Sequence, residues 1–179
     1  MALTSLQSPA SGKNRLYWSI QIFGWLFYAS IEILTSVVAA GGQGLTAQRV
    51  GFLLYEAFCC LLLTHSFRAL IHRWRWIDLS IYRLSVRVIL SVFAMGITMY
   101  FLRVPGSLLL DLYRPGILFS PGTVFGLSVV YIFIFLLWSV TYFVYNYFER
   151  YNNALKLEAS MREIELNNLK SQLNPHFIF

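Results

Sequence analysis

From Leu127 to Asn174 the chain contains neither glycine nor proline. A run so free of helix breakers reads as a single helix of roughly 70 Å at 1.5 Å per residue. Its first part, to about Tyr145, is strongly apolar, and the remainder is charged and helix-favouring. Such a helix crosses a bilayer and then continues into water. Its start is marked by Ser120 followed by Pro121, the residue types suited to an N-cap and a first helical position.

Composition agrees with a membrane setting. The chain is 58% hydrophobic and 12% charged, with a mean hydropathy of +0.61, too apolar for an ordinary soluble domain. Three further apolar runs precede the long helix. The first, Tyr17 to Ala40, follows Lys13 and Arg15, is too long for a signal peptide and contains Glu32, so it is expected to stay as a retained anchor. Residues 1–16 before it read as a mobile cytoplasmic tail, of which Met1 to Gly12 shows no periodicity. Gly41-Gly42-Gln43-Gly44 then marks a turn into the second run, Val50 to Phe67. The third, Val88 to Leu102, is the shortest and spans only if it starts near Leu84 with Arg87 reaching to the interface.

Arg68, Arg73, Arg75, Arg83 and Arg87 crowd the connection between the second and third runs, against the lone Asp78, with Trp74, Trp76 and Tyr82 among them. By the positive-inside rule this loop is cytoplasmic, which makes both termini cytoplasmic. The net charge of +6 is thereby assigned to the membrane surface, and nucleic-acid binding has no support. Between Arg103 and Gly122, Pro-Gly pairs at Pro105, Pro115 and Pro121 argue against a continuous helix and for a short interfacial segment. The adjacent Cys59 and Cys60 have neither disulfide geometry nor metal-ligand spacing and read as apolar packing residues. The fold class expected is all-α: a membrane protein with four transmembrane helices, the last continuing into a cytoplasmic dimeric signalling helix.

Two apolar seams run along that continuation. Ala154, Leu157, Met161 and Ile164 alternate steps of three and four, and the neighbouring register offers Leu155, Ala159, Leu166, Leu169 and Leu173, interrupted by Arg162. They fit either one wide amphipathic face or a homodimeric coiled coil whose contacting face changes along its length. Within the spans, Glu32 and Glu56 fall at similar depth. Intramembrane carboxylates are costly and usually partnered, so they either bond neighbouring helices or Arg103, or take part in sensing. His65 and His72, at or beyond the inner end of the second span, read as interfacial residues rather than metal or haem ligands.

The chemistry-bearing stretch is Leu169-Lys170-Ser171-Gln172-Leu173-Asn174-Pro175-His176-Phe177-Ile178-Phe179. Pro175 ends or kinks one helix at Asn174, and His176 in the next first turn offers an accessible ring nitrogen as nucleophile. This run resembles the phosphoacceptor box of the LytS-type sensor histidine kinases, the histidine kinase internal region family. The resemblance covers about the last tenth of the chain, and the box usually continues with an Asn that residues 1–179 do not reach. It implies that His176 accepts the phosphoryl group of ATP, with Gln172, Asn174, Pro175 and Phe177 as its box. It also implies ATP and Mg²⁺ in a complete protein, a homodimer in the bacterial inner membrane, and a cytoplasmic response regulator of LytTR type. The expected layout is a four-helix transmembrane sensor over 17–147, a signalling helix over 148–173 and, over 174–179, the truncated start of the phosphoacceptor region. Since 1–179 holds no Gly-rich nucleotide loop, the chain alone is expected to be inactive. The alternative from another class is a small non-enzymatic membrane protein for transport or assembly, in which Asn-Pro-His is a chance helix end.

Overall fold

Apolar runs bounded by Gly, Pro, Ser and Thr become helices wherever the structure, a computed structural model, describes the chain, over residues 9–39, 41, 46–112 and 115–172. The elements in order are α1 (Pro9–Ala39), α2 (Ala47–Arg73), a 3-10 turn (Trp76–Asp78), α3 (Ile81–Leu109), the single turn α4 (Pro115–Leu118) and α5 (Pro121–Gln172). Among the described residues there is no strand, and α1, α2, α3 and α5 are each long and apolar enough to cross a membrane. Only 11% to 44% of each apolar window is buried within the protein. The remainder is surface that water would penalise and lipid tails would not, so the fold is an all-α membrane fold.

The ends of the helices follow local chemistry. Thr46 caps α2, its hydroxyl accepting from the Arg49 amide at 3.3 Å. Ser120 caps α5 as its position before Pro121 suggested: its Oγ accepts from the Thr123 amide at 3.3 Å and donates to Thr123 Oγ1 at 2.7 Å. Gly41 takes φ +65, a left-handed conformation that needs no side chain, and its amide bonds the Val38 carbonyl at 3.1 Å to close α1.

Two expectations are corrected. Residues 9–16 are helical rather than tail, because Pro9 pre-sets the first helical φ and the apolar run beyond it supplies a nucleus from which helix propagates towards the N-terminus. Similarly, α3 is not the shortest span and does not stop at Leu102; it passes through Pro105-Gly106 to Leu109. The physical reason lies on α2. Proline removes an amide and disturbs the carbonyls one turn back, and Tyr55 Oη donates to the Leu102 carbonyl at 2.8 Å. Gly106 makes room for that tyrosine, since a Cβ there would stand 2.6 Å from Tyr55 Cε1. The Pro-Gly pair is therefore a seat for a neighbouring helix instead of a turn.

By packing, the chain forms two units, Met1–Leu136 and Leu137–Phe179. In the first, α1 and α3 both pack on α2, and the interior is filled by Phe52, Ile71, Met99, Tyr100 and Phe135. Trp25 on α1 meets Phe135 edge-on, with ring centroids 6.2 Å apart. α4 is tied back when Tyr100 Oη donates to the Leu118 carbonyl. Trp76 turns inward, 2% exposed, against the edge of Phe67, while Arg75 beside it adopts a left-handed backbone and faces out. Cys59 and Cys60 are free thiols buried on α2. In the second unit, Trp138 and Tyr142 stack one turn apart at 5.2 Å, and every described side chain from Tyr151 to Ser171 is exposed.

Candidate functional site

The first unit holds two polar constellations inside an otherwise apolar bundle. At one, Glu56 on α2 is 3% exposed and its Oε1 lies 3.0 Å from Arg103 Nε on α3. Tyr131 on α5, also buried, donates its hydroxyl to the same oxygen. The Arg103–Glu56 contact is an ion pair without hydrogen-bond alignment of the ε-nitrogen. The guanidinium also sits 5.2 Å from the centre of the Phe52 ring. Three helices thus converge on one carboxylate, which keeps a buried anion paired and immobile.

Of the pairings considered for the intramembrane carboxylates, the structure realises Glu56 with Arg103. Glu32 is different: it is partly exposed, and among the described residues its carboxylate has no hydrogen bond or ion pair. Tyr28, one turn before it, lies within electrostatic reach of Glu32, Glu56 and Arg103 together, so the two carboxylates do share a neighbourhood. Tyr131 was missed from sequence, being one of eleven tyrosines with nothing in its own run to single it out.

The second constellation joins α1 to α2. Trp25 Nε1 donates to Gln21 Oε1 at 3.0 Å and to Thr64 Oγ1 at 3.2 Å. Gln21 Nε2 donates to Tyr17 Oη at 3.0 Å, and Tyr17 Oη lies 3.3 Å from His65 Nδ1. His65 also stacks on Trp18, with centroids 4.9 Å apart and planes 26° from parallel. Arg68 places its guanidinium 3.6 Å from the centre of the Tyr17 ring. His65 is therefore built into a helix-helix contact instead of standing alone at the interface. A signal for this was present: Tyr17, Gln21 and Trp25 recur every four residues, a polar-tipped stripe down one face of an apolar helix.

Gln172 is the last residue of α5, while Asn174, Pro175, His176 and Phe177 lie outside the described residues. Among the described residues no three His, Cys, Asp or Glu side chains gather into a group able to hold a metal ion. Comparison of the chain with protein-family models, with curated proteins and with solved structures finds no match.

Proposed function

We propose that the chain is the membrane sensor and signal-transmission portion of a LytS-type sensor histidine kinase, with His176 as phosphoacceptor. The observation that carries this reading is the run Gln172-Leu173-Asn174-Pro175-His176-Phe177, which follows directly on a helix that begins as an apolar span at Pro121 and ends at Gln172. The helix that carries the apolar span thus ends four residues before the nucleophile. Within this reading the protein is a homodimer of the bacterial inner membrane with both termini cytoplasmic, and its phosphoryl group passes to a LytTR-type response regulator. ATP and Mg²⁺ belong to a nucleotide-binding domain that residues 1–179 do not supply; the chain's own contribution is the imidazole lone pair that meets the phosphorus in line.

Glu32, Glu56 and Arg103 are the residues best placed to take up a signal. The Glu56 carboxylate holds α2, α3 and the start of α5 at one point, which supports a role in passing a membrane event to α5. The test is phosphorylation of the chain joined to or mixed with its ATP-binding domain. ATP is expected to leave an acid-labile, base-stable phosphate that vanishes in His176→Gln. Acid-labile phosphate persisting in that variant would move the acceptor elsewhere, and none in the wild type under any signal would leave the non-enzymatic alternative.

A further inference from the structure

We infer that His65 is a proton-binding site that sets how firmly α1 is docked on α2. The argument rests on the direction of a hydrogen-bond chain. An indole N–H can only donate, so the Gln21 amide atom 3.0 Å from it is the oxygen, which turns the Gln21 amide nitrogen towards Tyr17. Having accepted from Gln21, the Tyr17 hydroxyl has its own hydrogen to give, and the atom 3.3 Å away is His65 Nδ1. The Tyr17 hydrogen has an acceptor within this chain when Nδ1 is bare, which is the neutral ring with its proton on Nε2.

Protonation reverses the last link. With a hydrogen on Nδ1, the ring becomes a donor that competes with Gln21 Nε2 for the Tyr17 oxygen, and the hydroxyl hydrogen must turn elsewhere. Charge works in the same direction on that side, because Arg68 already sets a cation against the Tyr17 ring. On the other side the outcome is opposite: Trp18, stacked 4.9 Å away, offers an imidazolium the face of the best cation-binding ring. Neutral His65 is thus held by Tyr17 and charged His65 by Trp18, adjacent residues of α1 whose rings meet edge to face at 5.6 Å. Exchanging one for the other loosens Tyr17 from Gln21, and with it the Trp25–Thr64 contact that is the buried end of the strap.

Among the described residues, the groups placed around His65 come from α1, α2, the turn after α2 and α5. From α1 it meets Tyr17 and Trp18; on α2 the cation near it is Arg68, with His72 two turns on and exposed. The turn after α2 contributes Trp76 to Phe67, and its charged pair, Arg75 with Asp78 at 3.1 Å, lies on the exposed side. α5 reaches α1 through Phe135, an apolar ring on Trp25. His65 itself is only half-buried, so protons have access.

The test needs no kinase activity and therefore stands apart from the reading above. In nanodiscs of phosphatidylcholine and phosphatidylglycerol, nitrogen NMR of the His65 ring should show Nε2–H with a bare Nδ1 at the alkaline end. The exchange of the Trp25 indole hydrogen with water, corrected for its intrinsic pH dependence, should quicken about tenfold on acidification, the ratio carried by roughly one hydrogen bond of docking. His65→Gln should abolish that acid response, and Tyr17→Phe should exchange fast at both ends of the range. A neutral ring protonated on Nδ1, a flat wild-type profile, or an undiminished acid response in His65→Gln would each overturn the proposal. The tautomer measurement needs no variant, so it decides even where a substitution fails to fold.

Discussion

Glu56 with Arg103 and Glu158 with Arg162 are the same two residue types at similar separations, 3.0 Å and 2.6 Å, in opposite surroundings. The first pair is 4% and 11% exposed and ties two helices together within Met1–Leu136; the second is 57% and 73% exposed and lies one turn apart on a single helix within Leu137–Phe179. Around the first, Tyr131 on a third helix donates to the same carboxylate oxygen. Around the second, apolar residues are left over: Leu157, Met161, Ile164, Leu166 and Leu169 are all exposed. The first region exposes its apolar surface along spans that lipid can cover, and the second carries it on a charged helix, which is what the proposed homodimer would cover.

The largest effect expected is at the buried pair. Glu56→Ala, which strands the Arg103 guanidinium, should cost about 3–5 kcal/mol, whereas Arg162→Ala should cost at most about 0.5 kcal/mol. Replacing both Glu56 and Arg103 by leucine should be milder than the single change, a sign that identifies an unpaired charge as the cause. Unfolding in bicelles measures all three, and equal losses at Glu56 and Arg162 would erase the contrast.

Glycines sharpen it at intermediate magnitude. A Cβ on Gly96 of α3 would drive into the Ile132 side chain and stand 3.0 Å from the Ile132 amide nitrogen and 3.1 Å from the Ser128 carbonyl oxygen, so Gly96→Ala should destabilise by about 1–3 kcal/mol. Gly126 on α5 has open space, and Gly126→Ala should stabilise by about 0.5–1 kcal/mol through helix propensity. The same unfolding assay reads the two signs. The smallest effect on the fold belongs to the exposed seam: Leu157→Ala should change single-chain stability by less than about 0.5 kcal/mol. It should weaken self-association about tenfold, roughly 1.4 kcal/mol, by ultracentrifugation or energy transfer. Undiminished association of Leu157→Ala and Leu169→Ala would remove this seam as the dimer contact.

Most of the fold was legible because bilayer-length apolar runs leave few alternatives, and the Ser120-Pro121 start of α5 could be read from two residues. What failed was reading Pro105-Gly106 by local rules. A Pro-Gly pair signals a turn by local rules, but Gly106 here makes room for Tyr55 on another helix, whose hydroxyl donates to the Leu102 carbonyl, and no property of residues 103–109 announces it. The candidate site divides in the same way. The composition of α1 contained the Tyr17-Gln21-Trp25 stripe, yet its meaning depended on which residues of α2 stood opposite. Glu56 and Arg103 could be named as partners because charges in lipid must find one another; Tyr131 could not, since a tyrosine in an apolar run need not. Of the box read around His176, Gln172 ends α5, and the other residues lie outside those the structure describes.

The close approach at Gly96 also limits how α5 can travel. Lacking a side chain, Gly96 rests against the Ser128 carbonyl and the Ile132 amide, the two ends of one helical turn. A slide of α5 along α3 by a fraction of that turn would lift Gly96 onto a side chain, so the contact behaves as a detent. Displacements that keep the helices seated are rotations about this point or jumps of a whole turn, about 5.4 Å, to the hollow between Val124 and Ser128 or between Ile132 and Leu136. Sliding of α5 on α3 is therefore expected to be stepwise rather than continuous.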